Sequence, residues 1–195
     1  MKISVIGTGN VGSVLVRRLA EAGHQVTTVG RATSPAAAAD RAAVAEVVVL
    51  ALPFAAVAGL DQKIKDALVG KTVVDVTNPL APDFMSLTVG HTTSGAEEVA
   101  AALPGANIVK AFSSVLAPNH GSPELGGRRL FLPVAGDDAA SRKTVIDLGT
   151  QLGFDAVDAG PLANARYIEP ATELLIQLAY GQGLGTGIGL ALLRA

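Results

Sequence analysis

Short runs of Val, Ile and Leu alternate along this chain with longer stretches in which apolar side chains recur at helical spacing. The runs predict strands at Lys2–Gly7, Gln25–Val29, Glu46–Leu52, Lys71–Val76, Asn107–Phe112, Arg129–Ala135 and Asp155–Asp158. Between them the spacing predicts helices over Asn10–Gly23, Pro35–Ala45, Phe54–Leu68, Gly95–Leu103 and Asp137–Leu152, and from Ala163 onward with a kink at Pro170. Ser94 is placed to cap its helix with Glu97 three residues on, and Asp137 and Asp138 put carboxylates where a helix N-terminus favours them. Strand and helix in strict alternation build an α/β fold, a doubly wound and mostly parallel sheet with helices on both faces. The longest irregular stretches are Asn78–Thr93 and Ser113–Arg128, and loops of that length in a compact domain tend to carry function.

Composition narrows the class. The 195 residues are 49% hydrophobic, enough for one domain with a modest appendage, divided here into residues 1–160 and a C-terminal helical segment, 161–195. A net charge of −2 gives no electrostatic reason to expect nucleic acid as a partner. Cysteine is absent, which removes disulfides, thiolate metal sites and a Cys nucleophile, and fits a cytoplasmic location. Only Lys2 and the run Ile3–Ile6 precede Gly7, which reads as a strand and not as a signal peptide. The C-terminal stretch places Gly181, Gly185 and Gly189 four apart, as transmembrane helix pairs do. Glu173 and Gln177 interrupt it, and the apolar part falls short of the ~20 residues a span needs. A buried tail or a subunit contact is the expectation, with no membrane partner.

The segment Gly7-Thr8-Gly9-Asn10-Val11-Gly12 is GxGxxG, directly after a strand and opening a helix. In that setting Gly7 serves a tight turn, Gly9 lets backbone approach a pyrophosphate, and Gly12 lets helix and strand pack closely. The motif predicts a Rossmann-type dinucleotide site with the anion on the helix N-terminus. At the end of the second strand an NAD enzyme usually carries an acid for the ribose 2′-hydroxyl. Here stand Gly30 and Arg31, with Thr33 and Ser34 after them and no acid from Gln25 through Ala39. A carboxylate repels a 2′-phosphate, whereas Arg pairs with it, so NADP is expected over NAD.

The second substrate is expected at the carboxyl ends of the strands, which read Ala51–Phe54, Val76–Leu80 and Val109–Ser114. Pro53 and Pro79 stop their strands, and Asn78 is placed to donate to a carboxamide or ring carbonyl. Lys110 points either into a helix interface or toward a ligand. Asp75, inside a strand, is expected to make a structural hydrogen bond. His91 and His120 lie in the long loops, either binding ligand or simply exposed, while His24 is structural. No metal-ligand cluster appears, and no acid paired with a carboxylate-binding Arg. If the partner is itself a redox cofactor, hydride passes ring to ring and the protein need only stack and orient the two faces.

Together the blocks "GTGNVG…VGR", "VVVLALPF", "KTVVDVTNPL", "NIVKAFSS", "PVAGDD", "LGFDAVDAGPLANARYIEP" and "LAYGQGLGTGIG" resemble the coenzyme F420-dependent NADP oxidoreductase family over nearly the whole chain. The resemblance implies a Rossmann-type domain with a small C-terminal helical part, a homodimer, and hydride transfer between NADPH and the deazaflavin ring of F420. It implies that Thr8, Gly9, Asn10 and Val11 hold the pyrophosphate and that Arg31 and Thr33 hold the 2′-phosphate. Leu52, Pro53 and Asn78 would border the nicotinamide, and Ala111, Phe112, Ser113 and the tail the deazaflavin. The chain departs from the family in reading KAFSS where KAFN is common, and in a short segment between the second and third strands. Two alternatives stay open: a reductase of another acceptor (flavin, quinone, ferric iron, or a small imine or ketone), and a non-catalytic NADPH-binding sensor.

Overall fold

The structure, a computed structural model, describes residues 1–195. Its strands are β1 (Lys2–Ile6), β2 (Gln25–Val29), β3 (Val47–Leu50), β4 (Thr72–Asp75), β5 (Asn107–Lys110), the two-residue β6 (Glu124–Leu125) and β7 (Arg128–Arg129), β8 (Phe131–Gly136) and β9 (Asp155–Asp158). The helices are α1 (Asn10–Glu21), α2 (Pro35–Ala43), α3 (Phe54–Val57), α4 (Gln62–Leu68), α5 (Gly95–Ala102), α6 (Ala139–Gln151) and α7 (Ala165–Ile176). One seven-stranded sheet runs in the order β2-β1-β3-β4-β5-β8-β9. All neighbours in it are parallel except β5 and β8. This is a Rossmann-type α/β fold with a C-terminal helix.

Alternation along each strand explains why both faces are covered. Val47 and Val49 point into one core with Ile3, Val5, Val74 and Val109, while Val48 and Leu50 point into the other with Ile6, Val73 and Ile108. A strand buried on both faces has no polar side to present, hence the unbroken "VVVL" of β3. From β1 the chain crosses to β2 on one side and then to β3 on the other. Ligands gather at such a reversal of strand order, outside the carboxyl ends.

Two expected helices come out differently. Phe54–Leu68 is broken into α3 and α4, with Asp61 capping α4 by accepting the Lys63 amide at 2.9 Å. Asx capping competes with continuous helix, and Gly59 just before it weakens the helix further. The C-terminal helix runs through Pro170 but ends at Ile176 with a wider turn, Gln177–Gly181, and the chain is irregular after it. Gly183 and Gly185 adopt the left-handed conformation (φ +72° and +74°), which a right-handed helix cannot use. The tail runs back over the domain. Asn119 donates to the carbonyls of Thr186 (2.8 Å) and Ile188 (2.9 Å), and the Phe131 amide donates to Leu190 (2.8 Å). Arg194 then pairs with Asp155 at 2.9 Å. No helix is long and apolar enough to cross a membrane.

Candidate functional site

The turn from β1 to α1 uses its three glycines in three ways. Gly7 sits at φ +110°, and a Cβ there would lie 2.1 Å from the Ala51 carbonyl oxygen. A Cβ on Gly12 would lie 2.1 Å from the Gly7 carbonyl oxygen, so both positions are closed by protein. Gly9 has no heavy atom within 4 Å of its would-be Cβ and faces open space. The first backbone bond of the helix runs from the Ser13 amide to the Gly9 carbonyl (2.9 Å), leaving the amides of Thr8 through Gly12 without a protein acceptor. No acidic side chain stands in the first turn and none caps it. A row of free N–H groups at the positive end of a helix is an anion site, and the residues fit a pyrophosphate.

A cavity of about 750 Å³ opens on one side of this turn, walled by Gly7, Thr8, Gly9, Gly30, Arg31, Thr33, Leu52, Pro53 and Asp61, among others. Thr33 closes a tight loop, its amide donating to the Gly30 carbonyl (3.0 Å) and its Oγ1 accepting from the Gly30 amide (3.1 Å). That loop presents Arg31, an exposed cation that forms no ion pair or hydrogen bond within the chain. Asp61, which the sequence reading passed over, is the one carboxylate in this wall; its capping role for α4 places it there.

A second cavity, about 730 Å³, lies on the other side and shares Gly9, Ala51, Leu52 and Pro53 with the first. Asn10, Val11, Asn78, Phe112 and Ser113 also line it, with Leu116, Ile176 and Tyr180 among its apolar walls. The Asn78 side chain differs from expectation. Its Nδ2 donates to the Ser113 carbonyl (3.1 Å), so the buried atom left without a partner is Oδ1, an acceptor. Such an atom complements the N–H of a carboxamide. Ser113 Oγ is likewise buried and unpartnered. Phe112 holds φ +63°, a costly conformation for a bulky residue, and packs edge-on to Phe154 at 5.8 Å.

Gly12 is spent on packing, as expected of it, while two of the sequence-nominated residues face elsewhere: Ala111 is buried in the core and Pro79 lies against Gly95. The tail beyond Tyr180 lines neither cavity, so of the C-terminal segment only Thr172, Ile176 and Tyr180 border the second one. Of the histidines, His24 bonds Gln151 (2.9 Å), His91 is exposed, and His120 is buried against the second cavity.

Behind the second cavity sits a fully buried ionic node. Asp75 and Lys110 are register partners on β4 and β5, and Lys110 Nζ lies 3.0 Å from Asp75 Oδ2 and 2.9 Å from Glu169 Oε1 of α7. The same ammonium donates to the Thr77 carbonyl, one residue before Asn78. Glu169 also accepts the amides of Gly95 (2.8 Å) and Ala96 (3.0 Å) at the start of α5. Burial alone pushes the Lys110 ammonium toward neutrality, but its two carboxylates outweigh this and hold it above the usual lysine value. Lys110 therefore points into an interface, not toward a ligand. Asp75 and Lys110 stood out in the sequence, but Glu169 did not, because only the return of α7 brings it to them.

Comparison with known proteins agrees with this geometry. The family model described as NADP oxidoreductase coenzyme F420-dependent matches residues 2–79, the β1–α1 turn included. The F420-dependent NADP reductase of Methanothermobacter marburgensis is 31% identical, with 91% of this chain and 92% of that protein aligned. The metalloreductase STEAP3 of Rattus norvegicus is 27% identical over 86% of this chain, which spans only 36% of that protein's length. Among solved structures, a protein of Arthrobacter sp. FB24 assigned as an F420-dependent NADP-reductase superposes with a TM-score of 0.89 and 31% identity, covering all of both chains. Motif, cleft and relatives converge: the chain belongs to the coenzyme F420-dependent NADP oxidoreductase family and is an NADP-dependent oxidoreductase.

Proposed function

We propose that this chain passes a hydride between NADPH and the deazaflavin ring of coenzyme F420, held over the nicotinamide in the second cavity. One observation carries the reading: the two cavities meet along Gly9, Leu52 and Pro53, beside the free amides of α1. A dinucleotide whose pyrophosphate rests on those amides has room for its adenosine half in one cavity and its nicotinamide half in the other. Arg31 and Thr33 then meet the 2′-phosphate, and Asn78 Oδ1 takes the carboxamide N–H. Phe112 and Ser113 border the ring of the acceptor. The bound nucleotide supplies the hydride; the chain binds, orients and keeps water out, consistent with a site poor in acid–base groups. The F420-dependent NADP reductase relatives support the acceptor.

The likeness to metalloreductase STEAP3 supports a second reading, in which the acceptor is a flavin or leads to ferric iron. A homodimer working in the cytoplasm is part of the first reading, and the exposed Tyr167, Leu174 and Leu193 offer apolar surface for a second copy. The test is anaerobic mixing of the purified protein with NADPH and oxidised F420, following the deazaflavin's visible absorbance, with NADH in parallel. Bleaching with NADPH alone is the expected result. Tight NADPH binding without bleaching, and turnover on flavin or ferric chelates instead, would replace the first reading with the second.

A further inference from the structure

His120 stands in a short 3-10 turn, Ala117–Gly121, whose backbone is fixed from behind. Arg18 of α1 donates to the carbonyls of His120 (3.3 Å) and Gly121 (2.9 Å). The ring is held between Phe112 and Phe154, at 6.4 Å from each. His120 is 1% exposed, borders the second cavity, and neither ring nitrogen has a partner in the protein. Burial first, and then the positive charge of Arg18, push its pKa down to about 4, so the ring is a neutral imidazole with one N–H to give and one nitrogen to receive.

Leaving a buried polar group unpaired is costly, and the same cavity holds two more such atoms, Asn78 Oδ1 and Ser113 Oγ. The residues that carry these groups come from two connections, the one after β4 and the one after β5, and border a cavity that is otherwise mainly apolar. No Lys or Arg lines it, and its only charged side chain is Asp83. Hydride transfer breaks the C4–H bond of the dihydronicotinamide, leaving a pyridinium, and forms a C–H bond on the acceptor. The displaced electron pair comes to rest on a conjugated carbonyl oxygen or ring nitrogen of the acceptor, which later takes a proton from solvent. No cation in the wall can meet that charge, so the protein's means of stabilising it are neutral donors. Arg18 behind the turn adds a positive field without entering the cavity.

We propose that His120 is a hydrogen-bond donor to the electron-accepting ring, its N–H meeting the heteroatom on which negative charge accumulates. It keeps its proton throughout. A fixed dipole aimed at developing charge in a dry cavity is worth more than the same group in water. This proposal rests on the reading of the second cavity as the acceptor site.

Protein labelled with ¹⁵N in its histidines and backbone separates the two. There are three histidines, and His24 and His91 lie away from the cavity as internal references. With NADP⁺ bound, adding oxidised F420 is expected to shift the amides of Phe112 and Ser113 and to move the His120 ring nitrogens, leaving His24 and His91 in place. Shifted amides with an unmoved His120 ring would overturn the His120 role alone. Unmoved amides would overturn the acceptor site and the proposal with it. In parallel, His120→Phe keeps the aromatic packing and removes the donor, and is expected to lower kcat/KM for F420 about tenfold to a hundredfold while NADPH affinity holds. If that variant does not fold, His120→Gln retains a donor on a shorter reach and is expected to recover part of the native rate. Native kinetics in His120→Phe, or no advantage of Gln over Ala at this position, would overturn the proposal.

Discussion

Replacing Lys110 with methionine keeps most of the side-chain volume and removes the one positive charge from a node with no access to water. Lys110, Asp75 and Glu169 are each no more than 1% exposed, so solvent cannot take over the lost contacts. Two carboxylates and the Thr77 carbonyl lose the ammonium at once. The anions are not left bare, since Asp75 keeps the Thr77 amide at 2.9 Å and Glu169 keeps two amides of α5. That retained solvation argues for the cost of breaking one buried ion pair, about 3–5 kcal/mol, and not for the sum of two. For a chain of this size each kcal/mol moves the melting point about 2–4 °C, so Tm is expected to fall by about 6–20 °C. Urea unfolding followed by far-UV circular dichroism gives ΔG directly, and an unchanged m-value shows that the same surface is still being exposed. Combining Lys110→Met with Asp75→Asn and Glu169→Gln removes all charge and should recover most of the loss. A single variant within 1 kcal/mol of the native chain at pH 8 refutes the argument, because the node would then be wet or the charges paired elsewhere.

Arg31→Ala is expected to weaken NADPH binding about tenfold to a hundredfold and leave NADH nearly unchanged, as titration of both nucleotides will show; equal losses would remove the 2′-phosphate role. Gly9→Val should abolish dinucleotide binding with Tm unaltered, since Gly9 has φ −75° and nothing within 4 Å of a Cβ; retained affinity would mean the pyrophosphate lies elsewhere. His120 is held below its unfolded value of about 6.5 at about 4, so stability should fall as pH drops through that window, when the unfolded chain takes the proton first. The gap corresponds to about 3 kcal/mol, and acid titration of His120→Phe should lack that share of the slope. Truncation after Tyr180 removes the irregular segment that Asn119 and Phe131 hold, and should cost acceptor turnover while sparing NADPH affinity; full turnover would reduce the tail to a passive cover.

What was legible in the sequence follows from how local its cause is. The β1–α1 glycines, the cap at Ser94 and the loop that exposes Arg31 are each decided within a few residues, and the structure shows the local geometry their spacing suggests. Asn78 borders the second cavity, but its side chain leaves an acceptor free where the spacing suggests a donor. Its amide N–H is taken by the carbonyl of Ser113, a partner on the neighbouring strand's loop that spacing does not announce. The C-terminal helix stops at Ile176, short of the expectation, because the glycines that follow the wider turn take the left-handed conformation, which apolar spacing does not announce.

Glu169 marks the harder limit. It lies in a segment whose apolar pattern gives no sign of a polar role, and it acquires one only when distant chain packs against it. Glu169 joins the node because Lys110 demands a second carboxylate after Asp75 has been buried beside it on the sheet. A buried lysine in a strand is therefore a usable signal: it requires anions, the register partner supplies one, and any shortfall in hydrogen bonds points to a helix that must return. The same demand ties the cavity together physically. Lys110 holds the carbonyl before Asn78, precedes Ala111–Ser113 in the chain, and anchors the helix that carries Thr172 and Ile176. Two loops and a helix that line the second cavity are thus referenced to one ammonium. Their relative positions are set before any ligand arrives, which is what a reaction that relies on orientation in place of acid–base groups requires.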